Sequence, residues 1–396
     1  MLAGGQPLAS LSHMVNNRMV PLFKLRPPHF SKTTVLVLLI GILLPRMVAG
    51  DGIKLEQNLK NRLTEMQCPG ALIGVFPDAG KPTRIAVGVG DLNTKQPMTL
   101  DMHMRIGSVS KPFLGTVVLQ LAAEDKLSLD DPIAKFVDGV PQGRDITLRM
   151  LGQHNSGLFN SIENADFQQA IMIKPGKAWQ TEDILSFSFS QHPYNAPGTQ
   201  WRYSNTNAIL LGMVVERVTG NKYEDEIYSR ICVPLGLKRT NAPKDGKLPL
   251  PHPTAYRNGQ KAKVIGYGDV LYDVTGYSSS WTHAAGNLYS TLDDLGKAAR
   301  CIGTGSLLSK HGRKELFDWS DTKRENLQHG FFIFQYKDGS IGHAGDVPGY
   351  NAVIKYYPAK RLSIVVLTNI SNNKDGTMPA EELAELTIQS LCTDQK

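Results

Sequence analysis

Strand-like runs gather at the two ends of this 396-residue chain and thin out in its middle, and no other feature limits the possible folds as much. Residues 71–76 and 84–89 are short and apolar. They are bounded by Pro77-Asp78-Ala79-Gly80 and Asp91-Leu92-Asn93, so they read as a hairpin. Residues 331–336, 352–357 and 362–367 are rich in β-branched and aromatic side chains, and Pro358-Ala359-Lys360-Arg361 makes a tight turn between the last two. From about Leu127 to about Thr282, helical segments alternate with polar loops. The clearest helix runs from Asn205 to Thr219, with Ile209, Leu210, Met213, Val214 and Val218 on one side and Gly220 at its stop. Residues 241–280, rich in Pro, Gly, Tyr and Lys without sustained periodicity, read as long surface loops. The early hairpin and the late strands are therefore expected to meet in one antiparallel sheet, flanked by terminal helices over residues 53–66 and 379–391. The expected fold class is α/β, of the α+β kind. Residues 51–126 and 283–396 would form a discontinuous α/β domain, with residues 127–282 as an inserted, mainly helical domain.

The formal charge of +7 invites a nucleic-acid reading, but its distribution argues against one. Arg18, Lys24, Arg26, Lys32 and Arg46 stand in the first 50 residues with no acid, and without those five the balance is 38 basic against 36 acidic residues. The basic excess belongs to a leader, and no nucleic-acid surface follows. The leader carries an apolar run over residues 35–44 and ends in Ala49-Gly50. The run is short for a membrane span, which needs about 20 apolar residues. A basic stretch, an apolar core and a small-residue exit make a secretory signal cut near Ala49 or Gly50, sending the protein to a periplasmic or extracellular space. A retained leader would instead attach the chain to a membrane, and the long acid-free stretch also fits a transit peptide. The compact apolar run favours export. Cys68, Cys232, Cys301 and Cys392 form no CxxC pair and have no histidine at ligand spacing, so no zinc site is indicated. Buried thiols and disulfides both remain open readings.

Three short motifs carry chemistry. Ser108-Val109-Ser110-Lys111 runs into the apolar, helix-like segment 114–121. Residues three apart share a helix face, so the Lys111 ammonium folds back toward the Ser108 hydroxyl. A serine is a poor nucleophile until a neighbouring base takes its proton, and a helix N-terminus favours developing negative charge. In Tyr203-Ser204-Asn205 the phenol and the amide lie two residues apart, on one side of an extended segment, with Ser204 turned away. A phenol held near a lysine that favours its anion can shuttle a proton, and the amide can orient a carbonyl. In Gly342-His343-Ala344-Gly345-Asp346, His343 and Gly345 face one way if the segment is extended. The missing side chain of Gly345 would then let a substrate backbone approach. Each spacing also arises by chance, as Ser371-Asn372-Asn373-Lys374 and Tyr256-Arg257-Asn258 show, so their order and context are what count.

Ser-x-x-Lys, Tyr-x-Asn and His-x-Gly in that order resemble the active site of the serine β-lactamase and penicillin-binding protein superfamily. The resemblance is closest to the branch of class C β-lactamases, D-alanyl-D-alanine carboxypeptidases and related esterases. It extends to His154-Asn155-Ser156-Gly157-Leu158, Pro197-Gly198-Thr199 and Ala285-Gly286-Asn287-Leu288-Tyr289-Ser290-Thr291, and covers the chain from about Leu55 onward. It implies an α/β domain and a helical domain with the site between them, and a serine hydrolase acting through an acyl-enzyme on an amide, a β-lactam or an ester. Ser108 would be acylated, and Lys111 and Tyr203 would share the role of base. Asn205 would bind a substrate carbonyl, the N–H groups of Ser108 and Asp346 would form the oxyanion hole, and His343 would hold the proton network or contact substrate. The substrate would be a small molecule or a peptidoglycan peptide, with no metal or cofactor. A relative that only binds peptidoglycan or a partner is the alternative, against which the intact Ser108, Lys111 and Tyr203 argue. A lipase-like hydrolase would need Gly-x-Ser-x-Gly, which the chain lacks. Two departures stand out: His343 replaces a permanently cationic lysine, and Asp346 stands where relatives often carry Ser or Thr. Two negative charges about 4 Å apart repel by ~4 kcal/mol at an effective dielectric of 20, an upper figure for a solvated site. Asp346 is therefore expected to disfavour substrates that carry a carboxylate, unless it turns away or Arg257 compensates.

Overall fold

Strands that are apolar at every position need cover on both faces of their sheet. The computed structural model describes residues 49–243, 246–258, 270–371 and 377–393. The leader expected over residues 1–50 lies outside the described residues except for Ala49 and Gly50, and residues 259–269 of the expected loop region lie outside them too.

Eight strands form one antiparallel sheet: β1 (Gly70–Pro77), β2 (Thr83–Gly88), β3 (Ser320–Asp321), β4 (Leu327–His329), β5 (Phe334–Tyr336), β6 (Ile341–Val347), β7 (Tyr350–Tyr357) and β8 (Leu362–Thr368). Their order is β2-β1-β8-β7-β6-β5-β4-β3. The first and last long strands pair directly, Ala71 opposite Thr368 and Pro77 opposite Leu362, so the two ends of the chain do meet in one sheet. Alternation then sorts the side chains. Leu72, Ala352, Ile354, Val365 and Leu367 enter one core, whereas Ala71, Ile73, Val75, Val353, Ile364 and Val366 enter another.

The second core is closed by the terminal helices, α1 (Ala49–Glu65) through Leu55, Leu59 and Leu63, and α5 (Pro379–Thr393) through Leu383, Ala384 and Ile388. These helices therefore cover one face only. The other face takes a helix that strand patterning had not suggested, α4 (Leu292–Thr304), which contributes Leu292, Leu295, Ala298, Ala299 and Ile302 to the first core. Behind it lies α2 (Ser110–Ala123), whose residues are buried almost all round, as in a helix enclosed on every side. The helix expected from Asn205 is α3 (Asn205–Thr219), which stops at Gly220 in a left-handed conformation. The apolar run 331–336 is a strand only from Phe334. Phe331 and Phe332 instead make a buried turn, donating to the carbonyls of Leu316 and Gly152. Cys68, Cys232 and Cys301 are buried free thiols and Cys392 is an exposed one. No helix among the described residues is long and apolar enough to cross a membrane.

Leu59 is fully buried where α1 meets the sheet. Leu59→Ala should lower the urea-unfolding free energy by about 2–5 kcal/mol, the usual cost of an unfilled leucine site. A loss below about 1 kcal/mol would mean that α1 is not part of this core.

Candidate active site

Ser108 sits in a single 3₁₀ turn, Gly107–Val109, that feeds directly into α2. Two glycines allow this turn to rest on the sheet. Gly107 has φ +51, and a Cβ there would lie 2.8 Å from the Asp346 amide nitrogen. A Cβ on Gly345 of β6 would lie 2.0 Å from the Ile106 carbonyl oxygen and 2.8 Å from the Ser108 nitrogen. The room at Gly345 is thus filled by the nucleophile turn itself. This corrects the expectation that substrate backbone would use it. The turn is held from the other side by Ser110, whose hydroxyl donates to Gly107 O at 2.7 Å and accepts from Leu288 N at 3.2 Å.

Lys111 is fully buried. Its Nζ lies 2.9 Å from Ser108 Oγ, 2.8 Å from Asn205 Oδ1 and 2.7 Å from Ala285 O. No carboxylate pairs with it among the described residues, and burial holds its pKa well below that of a free lysine. The lowered pKa favours the neutral amine, whose partners then sort by their chemistry. A neutral amine has two N–H donors and one lone pair. The carbonyl and the amide oxygen can only accept, so they take the two donors and leave the lone pair facing the Ser108 hydroxyl. Tyr203 donates to Ser108 Oγ at 3.0 Å, and its ring lies 5.0 Å from the Lys111 amine. Burial raises the phenol pKa far above its ordinary value. The expectation that a nearby lysine cation would favour the tyrosinate is therefore not met: the same enclosure that lowers the pKa of the amine raises that of the phenol.

Tyr203 and Asn205 converge on Ser108 and Lys111 as their spacing suggests. Ser204 turns away, fully buried, with its hydroxyl donating to Phe159 O at 3.3 Å. His343 is buried beside them, its ring 6.3 Å from that of Tyr203 and 5.0 Å from that of Phe334. Burial lowers its pKa to about 3, so it is a neutral ring at physiological pH. Asp346 is exposed to solvent. Desolvation by the surrounding protein pushes its carboxyl up, against the opposing pull of Arg257 and Asn351.

Three contributors escaped the sequence reading. The Ala285 carbonyl has no side-chain signature, though it stands in a stretch singled out by resemblance. Asn160 Oδ1 accepts from Asn205 N at 3.0 Å and so fixes the first residue of α3. His154, also in a stretch noted only for resemblance, packs its ring 4.4 Å from that of Tyr203. No group of three or more His, Cys, Asp or Glu side chains among the described residues could hold a metal ion.

The β-lactamase family description matches residues 55–387. Teichoic acid D-alanine hydrolase of Staphylococcus aureus is 27% identical over 297 residues, which make up 72% of this chain and 65% of that protein. The chain spans just under two thirds of the length of the curated relatives it matches. A D-stereospecific amidohydrolase from Streptomyces sp. is 26% identical and superposes with a TM-score of 0.73, covering 84% of this chain and 97% of that one. D-amino acid amidase from Ochrobactrum anthropi SV3 superposes with a TM-score of 0.77 over 87% of this chain and 100% of that one, a likeness of fold at 23% identity.

The buried rings lead to a pH prediction. Burial lowers the pKa of His154 and His329 well below the ordinary value, that of His283 to about 4 and that of His343 to about 3. Each is neutral when folded and takes up a proton near pH 6.5 once unfolded, so unfolding binds protons below that pH. Their contribution to stability is complete above about pH 6.5 and is lost as pH falls toward the folded values, by up to ~1.4 kcal/mol per ring and pH unit. The thermal midpoint should fall by about 10 °C between pH 7 and 5. A midpoint flat over that interval would contradict the buried, neutral assignment.

Proposed function

The chain belongs to the β-lactamase family, and from that premise we propose that it is a serine hydrolase that forms an acyl-enzyme on Ser108 and hydrolyses an amide or ester bearing no carboxylate next to the scissile bond. The observation that carries this reading is the environment of the Lys111 amine, fully buried and hydrogen-bonded to Ala285 O, Asn205 Oδ1 and Ser108 Oγ. As Ser108 Oγ attacks the substrate carbonyl carbon, its proton passes to the Lys111 lone pair. The carbonyl oxygen takes up the negative charge, which the N–H groups of Ser108 and Asp346 receive. Tyr203 then delivers a proton to the leaving nitrogen or oxygen and is reprotonated from Lys111, and collapse of the intermediate leaves the acyl group on Ser108. Water enters along the same path in reverse order, losing its proton to the amine and releasing the acid. Asn205, fixed through its oxygen by Lys111, presents its N–H groups to the acyl side of the substrate.

Asp346 supports the choice of a neutral substrate. Its carboxyl ionises above the ordinary carboxylate range, and once ionised it repels a substrate carboxylate, offset in part by Arg257. The names of teichoic acid D-alanine hydrolase and the D-stereospecific amidohydrolase support a D-configured acyl donor.

The test is intact mass and turnover with a D-amino acid ester, a D-amino acid amide and penicillin. Wild type should turn over the ester or amide faster than penicillin. Ser108→Ala should lose turnover by several orders of magnitude, roughly 10⁶-fold in the reference serine hydrolase. Asp346→Ser should raise penicillin acylation several-fold with little change on the ester. Unchanged labelling of Ser108→Ala, or efficient penicillin turnover by wild type, would overturn the reading.

A further inference from the structure

We propose that His154 is a positioning residue for the reaction: it clamps the Tyr203 backbone and ring from below, so that the phenol is held against Ser108 without touching substrate itself. The inference rests on the reading of Ser108 and Tyr203 given above.

Both peptide N–H groups flanking Tyr203 end on this one residue. Arg202 N donates to the His154 carbonyl at 2.8 Å, and Ser204 N donates to the His154 ring at Nδ1, 3.3 Å away. Between these two anchors, the Tyr203 ring lies on the imidazole with centroids 4.4 Å apart and planes tilted by 37°. Ser204 is extended, at φ −145 and ψ 126, the usual backbone of a residue that caps a helix, and α3 begins at the next residue. A further turn of helix in this direction would carry the phenol away from Ser108. His154 itself is at φ +55, a left-handed backbone in which its carbonyl and its ring reach the same strand.

The tautomer follows from the partners. A backbone N–H can only donate, so Nδ1 of His154 must accept, and the proton resides on Nε2. Asn207 Nδ2 lies 3.0 Å from the same Nδ1 and is itself oriented by Ser156, whose hydroxyl donates to Asn207 Oδ1 at 2.6 Å. Among the described residues Nε2 finds no polar partner, although the ring is fully buried. A histidine kept only to fill the core would be replaceable by an apolar ring at no such cost. What an apolar ring cannot supply is the acceptor for Ser204 N.

A double-mutant cycle reads this role. His154→Phe keeps the ring and removes the acceptor. It should lower kcat on the ester about 100-fold, the scale of a 1 Å misplacement, with KM within about threefold. His154→Asn places an oxygen where Nδ1 stood and tolerates the left-handed backbone, so it should recover kcat to within about 10-fold of wild type. In a Tyr203→Phe background, adding His154→Phe should cost less than about threefold more, because the residue acts through the phenol. His154→Gln, whose acceptor stands one atom too far out, serves the same cycle if the Phe variant does not fold. Losses that multiply, or a His154→Phe enzyme with wild-type kcat, overturn the inference and leave the reading of Ser108 and Tyr203 intact. A Tyr203→Phe enzyme with wild-type turnover overturns that reading and the inference with it.

Discussion

A lysine amine sealed from water, with oxygen atoms but no carboxylate around it among the described residues, is the constraint on which this structure turns. Keeping an ammonium in such a place costs several kcal/mol, and that cost presses the amine toward its neutral form, whose lone pair is the useful product. Ala285 O and Asn205 Oδ1 take the two N–H donors, and Ser108 is the remaining partner, able to donate in its turn. The same enclosure acts with opposite sign on the phenol, so one physical cause yields a base and an acid on either side of a single hydroxyl.

The rest of the fold serves to bring that amine and its neighbours together from distant parts of the chain. The 3₁₀ turn before α2 supplies Ser108 and α2 itself Lys111, the entry to α3 supplies Tyr203 and Asn205, and the stretch before α4 supplies Ala285 O. The sheet is the common floor. Gly107 and Gly345 let the nucleophile turn lie directly on β6, at distances no side chain would permit. β6 in turn is held between β7 and β5, inside a sheet whose long strands are buried on both faces. A serine hydroxyl positioned by backbone resting on backbone has little freedom left, which is what a reaction sensitive to displacements near 1 Å requires.

Much of this was legible in the sequence, and the exceptions have physical reasons. β1, β2, β7, β8, α1, α3 and α5 follow from period, turn chemistry and stops such as Gly220, all of which are local. Ser108 with Lys111 and Tyr203 with Asn205 are also local pairs, set by the geometry of a helix turn and an extended dipeptide. The aromatic run at Phe331 misled because a short apolar stretch reads alike as a strand or as a buried turn, and Gly152 O decided the matter from elsewhere in the chain. α4 shows Leu292, Leu295, Ala299 and Ile302 at helical spacing, but which face of the sheet they cover is set only when the strands from both chain ends have paired. The charge states of Lys111 and Tyr203 were beyond local reading, since burial is a sum over neighbours from the whole chain. The Gly345 contact and the His154 clamp depend in the same way on elements that meet only after folding.

The proposed mechanism depends on the neutral amine. The most direct measurement is the rate at which a neutral fluorophosphonate acylates Ser108 in the wild-type enzyme, followed from pH 6 to pH 10.5. A lysine whose pKa is pressed well below its ordinary value of about 10.4 predicts a rate already on its plateau by about pH 9. A rate that still climbs tenfold per pH unit from pH 9 to pH 10 would show that the amine is charged in the resting enzyme, and would contradict the mechanism.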